Sequence, residues 1–197
     1  MDIQRKESVD LPTRYGIFKA YVYESKDKLH HVALVKTGIS SKIGNNNGIL
    51  VRVHSECLTG DVFHSRRCDC GQQLDKALKS ISKEGGILIY LRQEGRGIGL
   101  LNKIKAYKLQ DKGMDTVEAN EKLGFKADMR DYNLAAQILA DLNARRIMLI
   151  TNNPRKIEDL EKYGIMVTKR IPLIIKPNTA NKSYLEAKRA KLGHYFD

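Results

Sequence analysis

The sequence predicts an α/β (or α+β) protein, a single domain in which a mixed β-sheet is flanked by helices. Three observations carry this. Short β-branched and aromatic runs crowd the region up to Val53. In the second half, apolar runs of strand length alternate with stretches of helical periodicity, the pattern of parallel pairing. No repeat, low-complexity tract or linker interrupts the 197 residues, a length near that of one domain able to bury a core without disulfides.

The elements follow in order. Residues 1–10 are polar and are expected to be a flexible N-terminus, with the folded domain over 11–197. Tyr15 to Tyr23 and His31 to Val35 read as strands. The Gly-Asn-Asn-Asn-Gly run at 44–48 reads as a turn, since Asn and Gly tolerate positive φ. Ile49 to Val53 is a strand that delivers His54-Ser55-Glu56-Cys57 at its end. Leu74, Ala77, Leu78 and Ile81 recur at i, i+3, i+4 and i+7, which predicts an amphipathic helix ended by Gly85-Gly86. Ile87 to Leu91 is a buried strand leading into Arg92-Gln93-Glu94-Gly95-Arg96-Gly97, with a helix over Ile98 to Gln110. Asp131 is placed to cap a helix from Tyr132 to Leu142, and Ile147 to Ile150 is a second buried strand. That strand opens onto Thr151-Asn152-Asn153-Pro154, where Asn153 suits an N-cap and Pro154 the first helical position. Ile165 to Val167 adds a strand and Ser183 to Leu192 a terminal helix.

Composition narrows the function classes. With 42% hydrophobic and 29% charged residues the chain is an ordinary globular protein. No apolar run approaches the roughly 20 residues that span a bilayer, and the start has no apolar signal core, so cytoplasmic placement and no membrane partner are expected. The net charge of +12 is spread along the chain rather than gathered in a block or alternated with aromatics. That pattern points to a solvated surface or a small polyanion and away from nucleic acid.

The three cysteines all lie between positions 57 and 70, as Cys57-x10-Cys68-x-Cys70. Closed structural zinc sites use four ligands, whereas three protein ligands and an open position are the catalytic arrangement, in which zinc lowers the pKa of bound water toward ~7. Free cysteine is also often just buried, but Arg66, Arg67, Asp69 and Gly71 are unsuited to a core strand. By spacing alone, His54 and His64 stay open as alternative or fourth ligands. His54-Ser55-Glu56 also matches half of a zinc nucleobase-deaminase signature, without its Pro-Cys-x-x-Cys half.

Two strand ends are phosphate-binding candidates. Gly95-Arg96-Gly97-Ile98-Gly99 fits neither G-x-G-x-x-G nor a P-loop, yet it is a Gly-rich turn opening a helix, with free N–H groups suited to an anion and Arg96 to grip it. The same residues also suit a tight turn packed on a helix. At Thr151-Asn152-Asn153-Pro154-Arg155-Lys156, two cations in a first helical turn oppose the helix dipole, a penalty that a bound polyphosphate reverses.

Taken together, Arg52 to Asp61, Cys68-Asp69-Cys70-Gly71 and Arg92 to Leu100 resemble GTP cyclohydrolase II, the enzyme that opens riboflavin biosynthesis. The likeness continues through Asp115 to Asn120, Gly124-Phe125, Thr151 to Pro154 and Gly193-His194, nearly the whole chain. It implies a catalytic domain over 11–197 in the standalone form, without a fused synthase. It implies that GTP, water and zinc give formate, pyrophosphate and 2,5-diamino-6-(5-phosphoribosylamino)pyrimidin-4(3H)-one. It also implies one Zn2+ per subunit on Cys57, Cys68 and Cys70, and a homodimer. The implied GTP contacts are Arg52, Val53, His54, Ser55, Glu56, Gln73, Glu94, Gly95, Arg96, Thr116, Thr151 and Lys156. The implied catalytic positions are Tyr107, Asp128 and Arg130.

In that reading, water activated at zinc opens the imidazole ring at C8 and Tyr107 delivers a proton or orients the opened ring, while Glu56 and Glu94 suit the guanine edge. Asp128 is the general base for pyrophosphate release, and Arg130 is either its nucleophile or the group that stabilises phosphoryl charge. Mg2+ is expected on the triphosphate. The rivals are a zinc deaminase of purine nucleotides, which would release ammonia, and a nucleotide or RNA binder without turnover.

Overall fold

The computed structural model describes residues 2–37, 48–126 and 128–181, with 186, 190 and 193 beyond them. Seven strands, β1 (Ile3–Thr13), β2 (Gly16–Ser25), β3 (His30–Lys36), β4 (Ile49–Ser55), β5 (Gly86–Leu91), β6 (Arg146–Ile150) and β7 (Met166–Ile171), form one sheet. Its order is β1-β2-β3-β5-β4-β6-β7. The β1–β2, β2–β3 and β3–β5 pairs are antiparallel, and β5–β4, β4–β6 and β6–β7 are parallel, so the sheet is mixed as expected. Among the described residues the helices are α1 (Leu58–Asp61), α2 (Cys70–Glu84), α3 (Gly99–Gln110), α4 (Thr116–Lys122), α5 (Asn133–Asp141) and α6 (Pro154–Lys162).

Alternation along the central strands divides the core between the two faces of the sheet. Val51, Val53, Ile87, Ile89 and Leu91 face a cluster with Ile138 and Leu139 of α5 and Leu160 of α6. Leu50 and Leu88 face the other way, onto Ala77 and Ile81 of α2, with Phe18 and Leu173. The apolar runs thus read as buried strands because both faces of β4 and β5 are covered.

Where a flexible N-terminus over residues 1–10 was expected, Ile3 to Asp10 are the first part of β1, paired to β2 through a tight turn. In that turn Thr13 Oγ1 donates to the Gly16 carbonyl at 2.7 Å, and Gly16 has φ of 110°. Most of β1 is exposed, so its backbone ladder, rather than any hydrophobic alternation, makes it a strand. As an edge strand it also tolerates Pro12.

Elsewhere the differences are at boundaries. Helix α2 starts at Cys70, a full turn before its apolar periodicity begins. Helix α5 starts at Asn133, whose N–H donates to Asp131 Oδ1 at 2.8 Å. Helices α1 and α4 were not anticipated; α4 is announced by a capping box in which Asp115 and Glu118 exchange hydrogen bonds with each other's N–H. The turn at 44–48 and the helix over Ser183 to Leu192 fall on residues outside the described ones, apart from Gly48, Glu186 and Ala190.

Candidate active site

Strands β5, β4 and β6 lie side by side and parallel, so their C-terminal ends open on the same edge of the sheet. In open α/β sheets ligands bind at that edge. Here it gathers Ser55 to Cys57, Glu94 to Arg96 and Thr151 to Asn153, segments far apart in sequence, around one cleft. Every sequence-predicted site residue lines this cleft except Val53, which is fully buried, and Asp128, which pairs with a lining residue.

The cysteines meet at one end. Their Sγ atoms all lie within 4.8 Å of one another, and Cys57 and Cys68 are 3.7 Å apart. Tetrahedral zinc with Zn–S near 2.3 Å requires sulfurs about 3.8 Å apart, so the spacing fits that ion. The hydrogen bonds from Cys68 and Cys70, with help from Lys103, hold the Cys57 thiol well below its ordinary range, while Cys57 pushes Cys68 up to about 11. A divalent ion would hold all three as thiolates. Among the described residues no histidine joins the cluster. His64 is exposed, and His54 Nε2 is 3.1 Å from both carboxylate oxygens of buried Asp61. Of the candidates that spacing left open, neither histidine joins the three sulfurs.

Glycine makes room for the triad. A Cβ on Gly60 of α1 would lie 2.8 Å from Cys68 Sγ and 3.2 Å from Cys57 Sγ, and one on Gly71 would lie 2.2 Å from the Gly60 carbonyl oxygen. Gly60→Ala should leave the sheet intact by circular dichroism and weaken zinc binding roughly tenfold to a hundredfold in chelator competition. Unchanged affinity would show that the triad gives way easily.

The surrounding polar groups are ordered by the fold. Asp61 accepts from Cys57 N–H at 3.0 Å and Tyr90 Oη–H at 2.8 Å, which seats the first cysteine at the end of β4. Glu94 Oε2 accepts from Leu58 N–H at 2.6 Å, and its Oε1 accepts from Gly95 N–H at 2.7 Å and Lys103 Nζ at 2.8 Å. Glu56 pairs through Oε2 with Arg92 Nε at 2.8 Å. The Arg92 N–H in turn donates to Nδ1 of buried His31 at 3.1 Å, so His31 Nε2 carries the proton that faces Ser25 Oγ. Burial pulls the His31 pKa below its ordinary value, which favours that neutral form.

The floor is cationic. Arg52 is buried on β4, donating to the Ile150 carbonyl at 3.0 Å and to Gln73 Oε1 at 2.6 Å. Lys156 is buried in the first turn of α6 and donates to the Val53 carbonyl at 2.7 Å. Asn153 caps that helix and Pro154 begins it, as anticipated. Asn152 clasps the Leu173 backbone, donating at 2.8 Å and accepting at 2.9 Å.

Across the cleft, Gly95 and Arg96 both adopt left-handed φ of 62°, costly for the arginine. This bend lets the Arg96 carbonyl accept from Met129 N–H at 3.1 Å. Arg155 donates to the Asp128 carbonyl at 3.1 Å, so the segment is held from two sides. Within it Arg130 grips Asp128 through a two-pronged pair, Nε to Oδ1 at 2.9 Å and Nη2 to Oδ2 at 2.5 Å. Burial pushes the Asp128 carboxyl up, but the Arg130 hydrogen bonds and charge outweigh it and hold the group below its ordinary value. Burial pushes the Tyr107 hydroxyl up, so it is a phenol at neutral pH.

Reading the sequence missed Lys103, Asp61, Gly60 and His31. Asp61 and Gly60 stand inside the motifs without announcing a role, and His31 and Lys103 show no local pattern at all. Arg155, read from the sequence as a cation for a polyphosphate, donates here to the carbonyls of Asp128 and Arg130.

A family model described as GTP cyclohydrolase II matches residues 4–172. The chain is 57% identical over 194 residues to the riboflavin biosynthesis protein RibBA of Chlorobium phaeovibrioides, covering 98% of this chain and 46% of that protein. It is 57% identical over 194 residues to the RibBA protein of Bacillus mycoides, covering 98% and 48%. To that of Endomicrobium trichonymphae it is 56% identical over 191 residues, covering 95% and 46%. The chain thus spans about half the length of the curated relatives it matches.

Proposed function

This chain belongs to the GTP cyclohydrolase II family, and on that premise we propose that it hydrolyses GTP to 2,5-diamino-6-(5-phosphoribosylamino)pyrimidin-4(3H)-one, formate and pyrophosphate, a step of riboflavin biosynthesis. The observation that carries the proposal is the meeting, in one cleft, of a three-thiol metal site with a cationic floor at the ends of parallel strands. Cys57, Cys68 and Cys70 would hold Zn2+, which when bound supplies a Lewis acid that activates water.

The chain's own groups take the remaining roles. Arg52, Arg96, Thr116, Thr151 and Lys156 offer donors to the triphosphate, with Mg2+ on its oxygens. Tyr107, a neutral phenol beside the thiols, is the proton donor to departing nitrogen. Glu56, with one carboxylate oxygen engaged by Arg92, suits the guanine N–H edge, alongside His54 and Ser55. Glu94 already accepts three protein donors, which favours a role in holding the site's shape. Asp128 and Arg130 serve the α-phosphorus. Homodimer formation belongs to the same reading and is supported by the exposed Leu100, Leu101 and Ile104 on α3. Among the described residues no helix is long and apolar enough to cross a membrane.

Incubating the zinc-loaded 197-residue chain with GTP and Mg2+ should yield formate and pyrophosphate in equal amounts. Ammonia in place of formate would identify a deaminase. No turnover, with steeply salt-dependent RNA binding, would identify a nucleic-acid binder. Because the chain is assayed by itself, turnover would show that these residues suffice for the reaction.

A further inference from the structure

Helix α3 is built inside out. It exposes Leu101 (69%) and Ile104 (47%), yet buries Lys103, which is only 8% exposed. A buried ammonium is strongly destabilising unless it is paired and hydrogen-bonded. Its partners here are Glu94 Oε1 at 2.8 Å and Cys57 Sγ at 3.1 Å. Glu94 is itself locked by the N–H groups of Leu58 and Gly95. The chain Leu58/Gly95 to Glu94 to Lys103 to Cys57 therefore fixes one charged donor on one sulfur of the triad. No contact of this kind reaches Cys68 or Cys70 among the described hydrogen bonds.

We propose that Lys103 is a positioning residue of the metal centre: anchored by Glu94, its ammonium hydrogen-bonds the Cys57 sulfur and withdraws charge from it. The inference rests on the triad being the metal site. Three thiolates on a divalent ion leave a net negative charge in a buried place. A donor on one thiolate offsets part of that charge, makes Cys57 the weakest electron donor of the three, and leaves the metal a stronger Lewis acid. A purely structural Lys103–Glu94 pair would fill the same space without altering the sulfur.

Cobalt(II) in place of zinc separates these roles, because thiolate-to-cobalt charge-transfer bands report the electron density on sulfur. Lys103→Met should move the bands to lower energy and weaken metal binding roughly tenfold to a hundredfold in chelator competition. Lys103→Arg, which keeps a charged donor, should restore the bands toward their original position. Lys103→Gln, which keeps a neutral N–H, should shift them by an intermediate amount, and it carries the test if Lys103→Met does not fold. Wild-type bands left unmoved by Lys103→Met, or by Lys103→Gln in its place, would overturn this inference alone. Absence of thiolate bands in the wild type would overturn the metal reading beneath it.

Discussion

Replacing Cys68 by Ser should leave a folded protein that holds no zinc and releases no formate from GTP. Cys68 lies in the loop between α1 and α2, outside the central strands, so the sheet and its two cores do not depend on its sulfur. The metal site does. Serine offers a hydroxyl that stays protonated at neutral pH where a thiol becomes a ligand thiolate, and it leaves two sulfurs where three stood. Metal content should fall to background and ring opening with it, measured as bound zinc, formate and circular dichroism on one preparation. An active, zinc-free variant would sink the metal site and with it the cyclohydrolase reading of the cleft.

The second large effect is expected at Arg130. Arg130→Lys keeps the charge and loses the fork: a lysine cannot meet both oxygens of Asp128 as the Nε and Nη2 of Arg130 do. Pyrophosphate release should fall about 10²–10³-fold, the usual cost of removing a donor aimed at developing charge. Both Asp128 oxygens accept from Arg130, which holds the carboxyl below its ordinary range. In the proposed reaction a guanidinium with pKa above ~12 is a poor nucleophile, which favours Arg130 as a stabiliser of phosphoryl charge. A covalent nucleotide adduct, trapped in wild type and missing from Arg130→Lys, would reverse that preference. Formate measured in the same samples tells whether ring opening waits for the phosphate step.

Much of this site was legible because its parts are contiguous. Cys57-x10-Cys68-x-Cys70 marks in its spacing a cluster that could hold a metal, and Asn153-Pro154 announces a helix start through local capping rules. The apolar runs at Ile87 to Leu91 and Ile147 to Ile150 declared buried strands, and they are; β5 pairs antiparallel with β3 and parallel with β4. Strand β1 was illegible because an exposed edge strand is made by its neighbour's backbone and leaves no pattern in its own side chains. The pair at Asp128 and Arg130 would pass for a surface contact in the sequence alone. In the fold it is nearly buried, clamped by Met129 on the Arg96 carbonyl and by Arg155 on the Asp128 carbonyl.

What the sequence by itself determined is therefore the chemistry available: three thiols in one short segment, two anion-ready strand ends, and a mixed sheet to carry them. Only the tertiary structure decided which groups meet. The parallel order β5-β4-β6 brings three distant loops to one edge, turns His54 onto Asp61 and away from the sulfurs, and delivers Lys103 from α3 to Cys57. The physical reason is that periodicity and spacing encode local geometry, whereas charge partners buried across elements are chosen by packing.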